Sequence, residues 1–474
     1  MRILTTLLFA CFFAGAGNVP ARDLNVVFIL VDDWGWADCG IQGSDFFETL
    51  NIDRFAGKSL RFTQAYAASP VCSPTRAAIL TGRSPARLDM TIWLEGARDG
   101  GPRNRKLLPA EATPDLPRTE ITLAERFRDS GYSTAHVGKW HLGRAANYPE
   151  TQGFDVNVGG TYWGAPFSFF YPYRGPWSKQ DPEIRYVPVG IGKPGDYLTD
   201  VLTDHALQFL EDNARRPFFL NLWYHTVHTP IEGKPGLVEH FRRKPSGKIH
   251  SHVEYAAMVA SLDENVGRVL RKLDELTLAD NTIVILTSDN GGVDFPSGRS
   301  GDKAPTNNVP FRSGKGTLYE GGIRVPLFIR WPGRTHAGTI CDTPVQSQDF
   351  FPTFVEGLGL RSTASVDLDG VSLLPLLRDP HVETAARPLF WHYPHYYPRM
   401  TPGSAIRDGD WKLIRYYEDE RTELYDLSMD PGETTDVSKM HPERSQELRT
   451  RLENWLTEMD ANEPAPNPNW RGQQ

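Results

Sequence analysis

Four short stretches of this chain end in side chains that could do chemistry together. Asp32-Asp33, closing LNVVFILVDD (24–33), and Asp289-Asn290, closing TIVILTSDN (282–290), offer only oxygen donors. Three carboxylates brought close repel one another unless a cation sits among them. An all-oxygen set selects a hard ion, calcium or magnesium, over zinc. Each pair alone also reads as local structure: a cap at Asp32-Asp33, a plain turn at Asp289-Asn290-Gly291-Gly292. Lys139 and His141 in GKWHLG (138–143), His225 and His228 in HTVHTP (225–230) and Lys315 in GKGTLYEGGIRVP (314–326) supply cations and proton carriers. Any one of them could be a solvated lysine or a structural histidine. Gathered in one place, they could cancel the charge of an oxyanion and move protons on it.

The fifth stretch is VCSPTRAAILTGR (71–83). Ser73 and Pro74 start a helix, with proline tolerated in the first turn, and Gly82 ends it. A helix N-terminus offers free N–H groups and partial positive charge to an anion, and Arg76 adds a fixed charge one turn along. Cys72 at that start also reads as a small buried residue, or as a low-pKa thiolate nucleophile.

The elements that must position these groups alternate. Short, continuously apolar runs at 24–33, 133–140, 217–225, 282–290 and 325–331 have the pattern of strands buried on both faces. Amphipathic helical stretches lie between them, including 121–131 and 254–276. This predicts an α/β fold: a large, mainly parallel sheet sandwiched by helices. Ligands bind beyond the carboxyl ends of such strands, which is where the polar pairs fall. Long loops at 95–118, 157–196 and 291–317 read as binding loops or lids. From 366 to 474 the character changes. DWKLIRYY (410–417) and TELYDL (422–427) form a hairpin and DPGE (430–433) a turn. A last helix carries Leu448, Leu452, Trp455 and Met459 on one side. This predicts a smaller C-terminal subdomain, an antiparallel sheet with a helix, after a larger α/β domain over 22–365. The tail from Ala461 reads as loose. WHYPHYY (391–397) suggests either sugar-stacking aromatics or a packed subdomain interface.

The 474 residues are 39% hydrophobic and 23% charged, with a net charge of −8. That composition is globular, and the acidic balance argues against nucleic acid as a partner. Residues 1–21 read as a signal peptide: Arg2, an apolar run from Ile3 to Phe13, then small residues. An uncleaved anchor is the alternative, and Phe9 fits lipidation at Cys11 poorly. The expectation is export to the periplasm or medium, with no later membrane span. Cys39, Cys72 and Cys341 would remain, an odd number; a Cys39–Cys341 disulfide would leave Cys72 over.

C-S-P-T-R (72–76) matches the C-x-P-x-R signature of the type I sulfatases, formylglycine-dependent, arylsulfatase-like enzymes of the alkaline phosphatase superfamily. VDDWG (31–35), GKWHLG, HTVHTP, SDNGG (288–292) and GKGTLYEGGIRVP also resemble the family, in family order, and WKLI and LYDLSMDPGE do so near the C-terminus. The resemblance implies that Cys72 is oxidised by a maturing enzyme to formylglycine, whose hydrate is the nucleophile and a metal ligand. It further implies that Asp32, Asp33, Asp289 and Asn290 hold calcium. Arg76, Lys139 and Lys315 would hold hydrate and sulfate oxygens. His228 and Lys315 would bind sulfate and protonate the leaving oxygen, and His141 would take a proton from the second hydroxyl as sulfate is expelled. His225 would touch either the substrate or the groups that do. The implied substrate is a sulfate ester, of a sulfated glycan or small molecule. A phosphonate monoester or phosphodiester hydrolase of the same superfamily is the alternative. A binding protein on an inactive scaffold would lack key residues, yet all are present. A cysteine hydrolase would be killed by thiol alkylation and indifferent to chelators.

Overall fold

The computed structural model describes residues 24–179, 182–296, 301–361 and 367–472. The expected signal peptide and the expected boundary at 365/366 lie outside the described residues. Nine strands build one large sheet: β1 (Asn25–Val31), β2 (Leu60–Tyr66), β3 (Ser133–Gly138), β4 (Val156–Val158), β5 (Phe218–Trp223), β6 (Thr282–Ser288), β7 (Arg324–Arg330), β8 (Ile340–Cys341) and β9 (Val345–Gln346). Their order is β8-β2-β7-β6-β1-β5-β3-β4, with β9 also on β2. All pairings are parallel except those of β7, which runs against both β6 and β2. β2, LRFTQAY, has no apolar run, and the run pattern passed over it: Arg61, Thr63 and Gln64 keep their side chains partly exposed.

Among the described residues, the α-helices of six residues or more are α1 (Leu50–Ala56), α2 (Cys72–Thr81), α3 (Leu94–Asp99), α4 (Leu123–Asp129), α5 (Leu198–Asp212), α6 (Pro235–Arg243), α7 (Val253–Glu275), α8 (Phe350–Leu358) and α9 (Pro442–Glu458). Side chains alternate across a strand, so β1 feeds two cores. Val27, Ile29 and Val31 pack with α1, α5, α6 and α7. Val26, Phe28 and Leu30 pack with α2, α4 and α8. This explains why β1 is apolar throughout. α4 starts on a capping box between Thr122 and Glu125, which satisfies two orphan donors of its first turn. α2 ends at Gly82, whose φ of 70° suits glycine.

Among the described residues, Cys39, Cys72 and Cys341 are buried free thiols. Cys39 sits in the core on one face of the sheet and Cys341 in the core on the other, so the sheet itself separates the suggested disulfide pair.

A second, four-stranded antiparallel sheet runs β10 (Leu389–Tyr393), β11 (Gly403–Asp408), β12 (Trp411–Tyr416), β13 (Thr422–Asp426). On one face α9 lays Leu448, Leu452 and Leu456 over Ile406, Leu413 and Leu424. The other face packs on Tyr66, Val71, Leu318 and Ile323 of the larger unit. Buried Lys412 reaches across this junction to Glu320 at 2.9 Å and also meets Glu433 at 2.8 Å. The tail is held in place, contrary to expectation. Ala465–Pro466 pairs with Leu107–Leu108, and the Asn467 amide donates to the carbonyls of Arg103 and Arg105.

Candidate active site

Parallel register brings the chemistry-bearing residues side by side. Val31 lies opposite Ser288, Leu30 opposite Trp223, and Trp223 opposite Gly138. Strands β6, β1, β5 and β3 therefore end at one level, and the residues that follow, Asp289, Asp32 and Lys139, emerge together. Backbone bonds continue past the ends: Asp289 N–H donates to Val31 O, Lys139 N–H to Trp223 O, and Asp32 N–H to Thr226 O. Asp33 and His141 are held at φ of 60°, a costly backbone region for residues other than glycine that tends to mark functional sites.

Each carboxylate has its own cation. Lys139 Nζ is 2.6 Å from Asp32 Oδ2, and Lys315 Nζ is 2.6 Å from Asp33 Oδ1. Arg76 donates Nε–H and Nη2–H to Asp289 Oδ2 at 2.9 and 2.7 Å, and Nη1–H to the Lys139 carbonyl. Its guanidinium lies 5.2 Å from the Trp223 ring. Asp33 N–H donates to Asp289 Oδ1, and the Asn290 amide donates to Asp33 Oδ1 at 2.8 Å. Burial drives the Asp32 carboxyl well up despite Lys139. Burial acts the same way on Asp33, but Lys315, His228 and Lys139 carry it below the usual carboxylate range.

Cys72, the first residue of α2, faces this cluster. The helix N-terminus has no side-chain cap, so its N–H groups remain available to an anion. Cys72 Sγ is 3.3 Å from His141 Nδ1. Burial opposes ionisation of the thiol, but Lys139, His141 and Lys315 bring it down to about 6. On the far side of the ring, His141 Nε2 is 2.6 Å from Glu95 Oε2. A carboxylate can only accept, so Nε2 carries the hydrogen and Nδ1 turns its lone pair to residue 72. Glu95 in turn accepts from Gly164 N–H and lies 3.5 Å from Arg185. Gly164 leaves the space the imidazole fills: a Cβ there would stand 2.4 Å from His141 Cε1.

The sequence motifs contain neither Glu95 nor Arg185, although both fall in loops read as binding segments. A lone carboxylate in the first turn of a short helix carries no signal until the fold brings it to a histidine. His228 donates from Nδ1 to the Thr229 carbonyl and turns Nε2 to Asp33 at 3.5 Å. Burial holds this imidazole neutral, so its Nε2 lone pair and the carboxylate face one another. Such a pairing is stable with a cation or a proton between. His225 is buried among Lys139 and Arg76, which with burial keep it neutral, and it does not line the cavity.

Asp33, Cys72, His141, His228 and Lys315 line a cavity of about 220 Å³ whose remaining wall includes Trp93, Trp177, Phe295 and Tyr397. Tyr397 is the end of the WHYPHYY stretch, and Gly316 makes room for its ring. At the other end of that stretch Trp391 donates to the Ala67 carbonyl. The segment is thus an interface at its start and a cavity wall at its end.

The donor set fits a hard cation. Asp32 Oδ1 and Asn290 Oδ1 are buried and, among the described residues, lack a hydrogen-bond partner. Donor atoms of Asp32, Asp33 and His228 lie within 4.8 Å of one another. Buried oxygens without partners are costly, and a divalent ion would satisfy both.

Comparison with known proteins agrees with this arrangement. A family model described as Sulfatase matches residues 24–360, and one described as N-sulphoglucosamine sulphohydrolase, C-terminal, matches 313–462. A sulfatase of Formosa agariphila is 31% identical, covering 92% of this chain and 89% of that protein. Human N-acetylgalactosamine-6-sulfatase is 33% identical over 80% of this chain and 70% of its own length. A crystal structure of Ps i-CgsB in complex with k-i-k-neocarrahexaose superposes with a TM-score of 0.74, at 27% identity and 96% coverage of both chains. The chain therefore belongs to the sulfatase family and is a sulfuric ester hydrolase.

Proposed function

We propose that this enzyme removes sulfate from sulfated glycans, sulfated N-acetylgalactosamine among them, using formylglycine made from Cys72 and a bound calcium ion. The observation that carries the reading is the placement of Cys72. It stands at an uncapped helix N-terminus, 3.3 Å from a histidine, with two lysines lowering its pKa. The glycan preference is supported by the human relative, an N-acetylgalactosamine-6-sulfatase, and by the complex of the structural neighbour with k-i-k-neocarrahexaose.

Asp32, Asp33, Asp289 and Asn290 would hold the calcium, which would supply positive charge to an ester oxygen and lower the pKa of the hydroxyl of residue 72. Arg76 anchors Asp289 and the Lys139 carbonyl, keeping two site walls at fixed spacing. Lys139 and Lys315 offset the added negative charge of a sulfate group. His141, held by Glu95, presents Nδ1 to the outer atom of residue 72 and takes a proton from it. His228 turns Nε2 to the cavity, where a protonated ring would donate to the leaving oxygen. The protein is further proposed to be exported and to depend on a maturing enzyme; among the described residues no helix is long and apolar enough to cross a membrane.

The test is a side-by-side rate comparison on N-acetylgalactosamine 6-sulfate, an aryl sulfate, a phosphonate monoester and a phosphodiester. Mass spectrometry of the peptide around residue 72 accompanies it. Sulfate esters turned over fastest, with an aldehyde at residue 72, support the reading. A phosphodiester faster by orders of magnitude, or an unmodified thiol in fully active protein, overturns it.

A further inference from the structure

Tyr397 has a second side. Beyond it opens a cleft of about 500 Å³ lined by Arg105, Tyr396, Arg399, Tyr416 and Arg421, with Tyr397 common to cleft and catalytic cavity. The cleft is built from guanidinium groups over aromatic faces. Arg421 lies 3.6 Å from the Tyr416 ring centroid and Arg105 5.7 Å from that of Tyr396. Arg399 stands 5.8 Å from Phe295, a wall residue of the catalytic cavity, so the arginine row begins at the cavity mouth. Arg399 pairs with Asp294, and Arg421 contacts Asp419 and Glu423 at the exposed rim. Arg105 has no carboxylate partner among the described residues.

The cleft is held in shape by contacts that catalysis does not need. Asn467 of the C-terminal tail fixes the backbone of Arg103, Arg105 and Lys106. Tyr396 accepts from Leu107 N–H and donates to Glu418. The tail thus ties down the loop that presents Arg105, although that loop reaches no group of the cluster at Cys72. In a chain with a net charge of −8, arginines concentrated beside the site of sulfate chemistry are out of keeping with the general surface. Guanidinium matches a sulfate group with two parallel hydrogen bonds, and tyrosine faces suit the C–H faces of a sugar.

Resting on the sulfate-ester reading, we infer that this cleft binds a second sulfated residue of the substrate chain, so that the enzyme acts on multiply sulfated oligosaccharides in preference to a single sulfated sugar. The scissile ester enters the cavity at Cys72, the chain passes Tyr397, and the neighbouring sulfate meets Arg105 and Arg421.

The experiment measures binding apart from turnover. A Cys72→Ala protein is titrated calorimetrically, at low and high salt, with N-acetylgalactosamine 6-sulfate, k-i-k-neocarrahexaose and a multiply sulfated tetrasaccharide containing N-acetylgalactosamine 6-sulfate. At least one oligosaccharide should bind tenfold or more tightly than the monosaccharide. Adding Arg105→Ala and Arg421→Ala should erase that advantage and flatten the salt dependence. Arg105→Ala alone should remove part of it, which covers the case of a double variant that folds poorly. No advantage for either oligosaccharide, or an advantage that survives the substitutions in a protein of parental melting temperature, overturns the inference. Failure of the parent enzyme to hydrolyse any sulfate ester would instead sink the reading of its chemistry, whatever the titrations give.

Discussion

The Glu95 carboxylate stands 2.6 Å from Nε2 of His141, across the ring from the Cys72 sulfur at 3.3 Å from Nδ1. Burial alone would lower the His141 pKa; Glu95 and Cys72 raise it. Glu95→Gln leaves a group of the same shape without the charge. The prediction is a loss of about 10²-fold or more in kcat on a sulfate ester. A second consequence separates this from simple misfolding. Without the carboxylate, His141 releases its proton more readily, so the acidic limb of the pH–rate profile moves to lower pH. Glu95→Asp should recover part of the activity. A profile that stays in place would assign Glu95 a purely structural part.

Arg76 is fully buried and ties Asp289 to the Lys139 carbonyl while standing 3.7 Å from Asp32. Removing one partner of a buried pair leaves an uncompensated charge, which costs about 3–5 kcal/mol. Arg76→Met should therefore lower the melting temperature by several degrees and abolish activity. Arg76→Lys keeps the charge but cannot make the planar fork, so it should restore more stability than activity. Equal rescue of both would argue that charge alone matters here.

Much of this was legible in the sequence, for reasons that can be named. The runs at 24–33, 133–140, 217–225 and 282–290 became β1, β3, β5 and β6 because strands buried on both faces need apolar residues at every position. Their polar ends converge because parallel register aligns the carboxyl termini. β2 escaped because it is a partly exposed strand with alternating polar residues. The direction of β7 could not be read from VPLFIRW, since a buried strand is apolar whichever way it runs. Glu95, in the six-residue helix α3, and the Arg105 cleft, in irregular loops, depend on contacts across more than forty residues of chain, which leave no periodicity to read. The tail looked loose because its composition is polar, yet Asn467 finds backbone acceptors.

Asp32 Oδ1 and Asn290 Oδ1 make metal binding measurable without turnover. An ion that binds only the folded state stabilises it by about 2.7 kcal/mol at a hundredfold excess over Kd. Excess calcium added to chelator-treated protein should raise the melting temperature, and magnesium should raise it less, because it demands stricter octahedral geometry. Asn290→Ala should lower the metal-free melting temperature through loss of its hydrogen bond to Asp33, and should shrink the calcium shift measured from that lower baseline. An identical calcium shift in parent and variant would remove Asn290 from the site.

Lys412 serves two buried carboxylates at once, and this sets a pH dependence of stability unconnected with catalysis. Burial pushes Glu433 up further than Lys412 draws it down, and Glu320 adds to the rise, to about 7. Burial would raise Glu320 too, but Lys412, Arg324 and Arg407 carry it down to about 2. An unfolded glutamate ionises near 4.3. Between about pH 4.5 and 7 the unfolded chain has therefore lost the Glu433 proton while the folded protein keeps it, so stability falls as pH rises through this window. Glu320 acts in the opposite sense, its contribution being lost as pH drops below about 4. Calorimetric melting temperatures should accordingly decline from pH 5 to pH 8. Glu433→Gln keeps an acceptor for the Glu320 N–H and removes the titrating group. That variant should show a flatter profile and melt above the parent at pH 8. Parallel slopes in the two proteins would show that the junction's pH response arises from other groups.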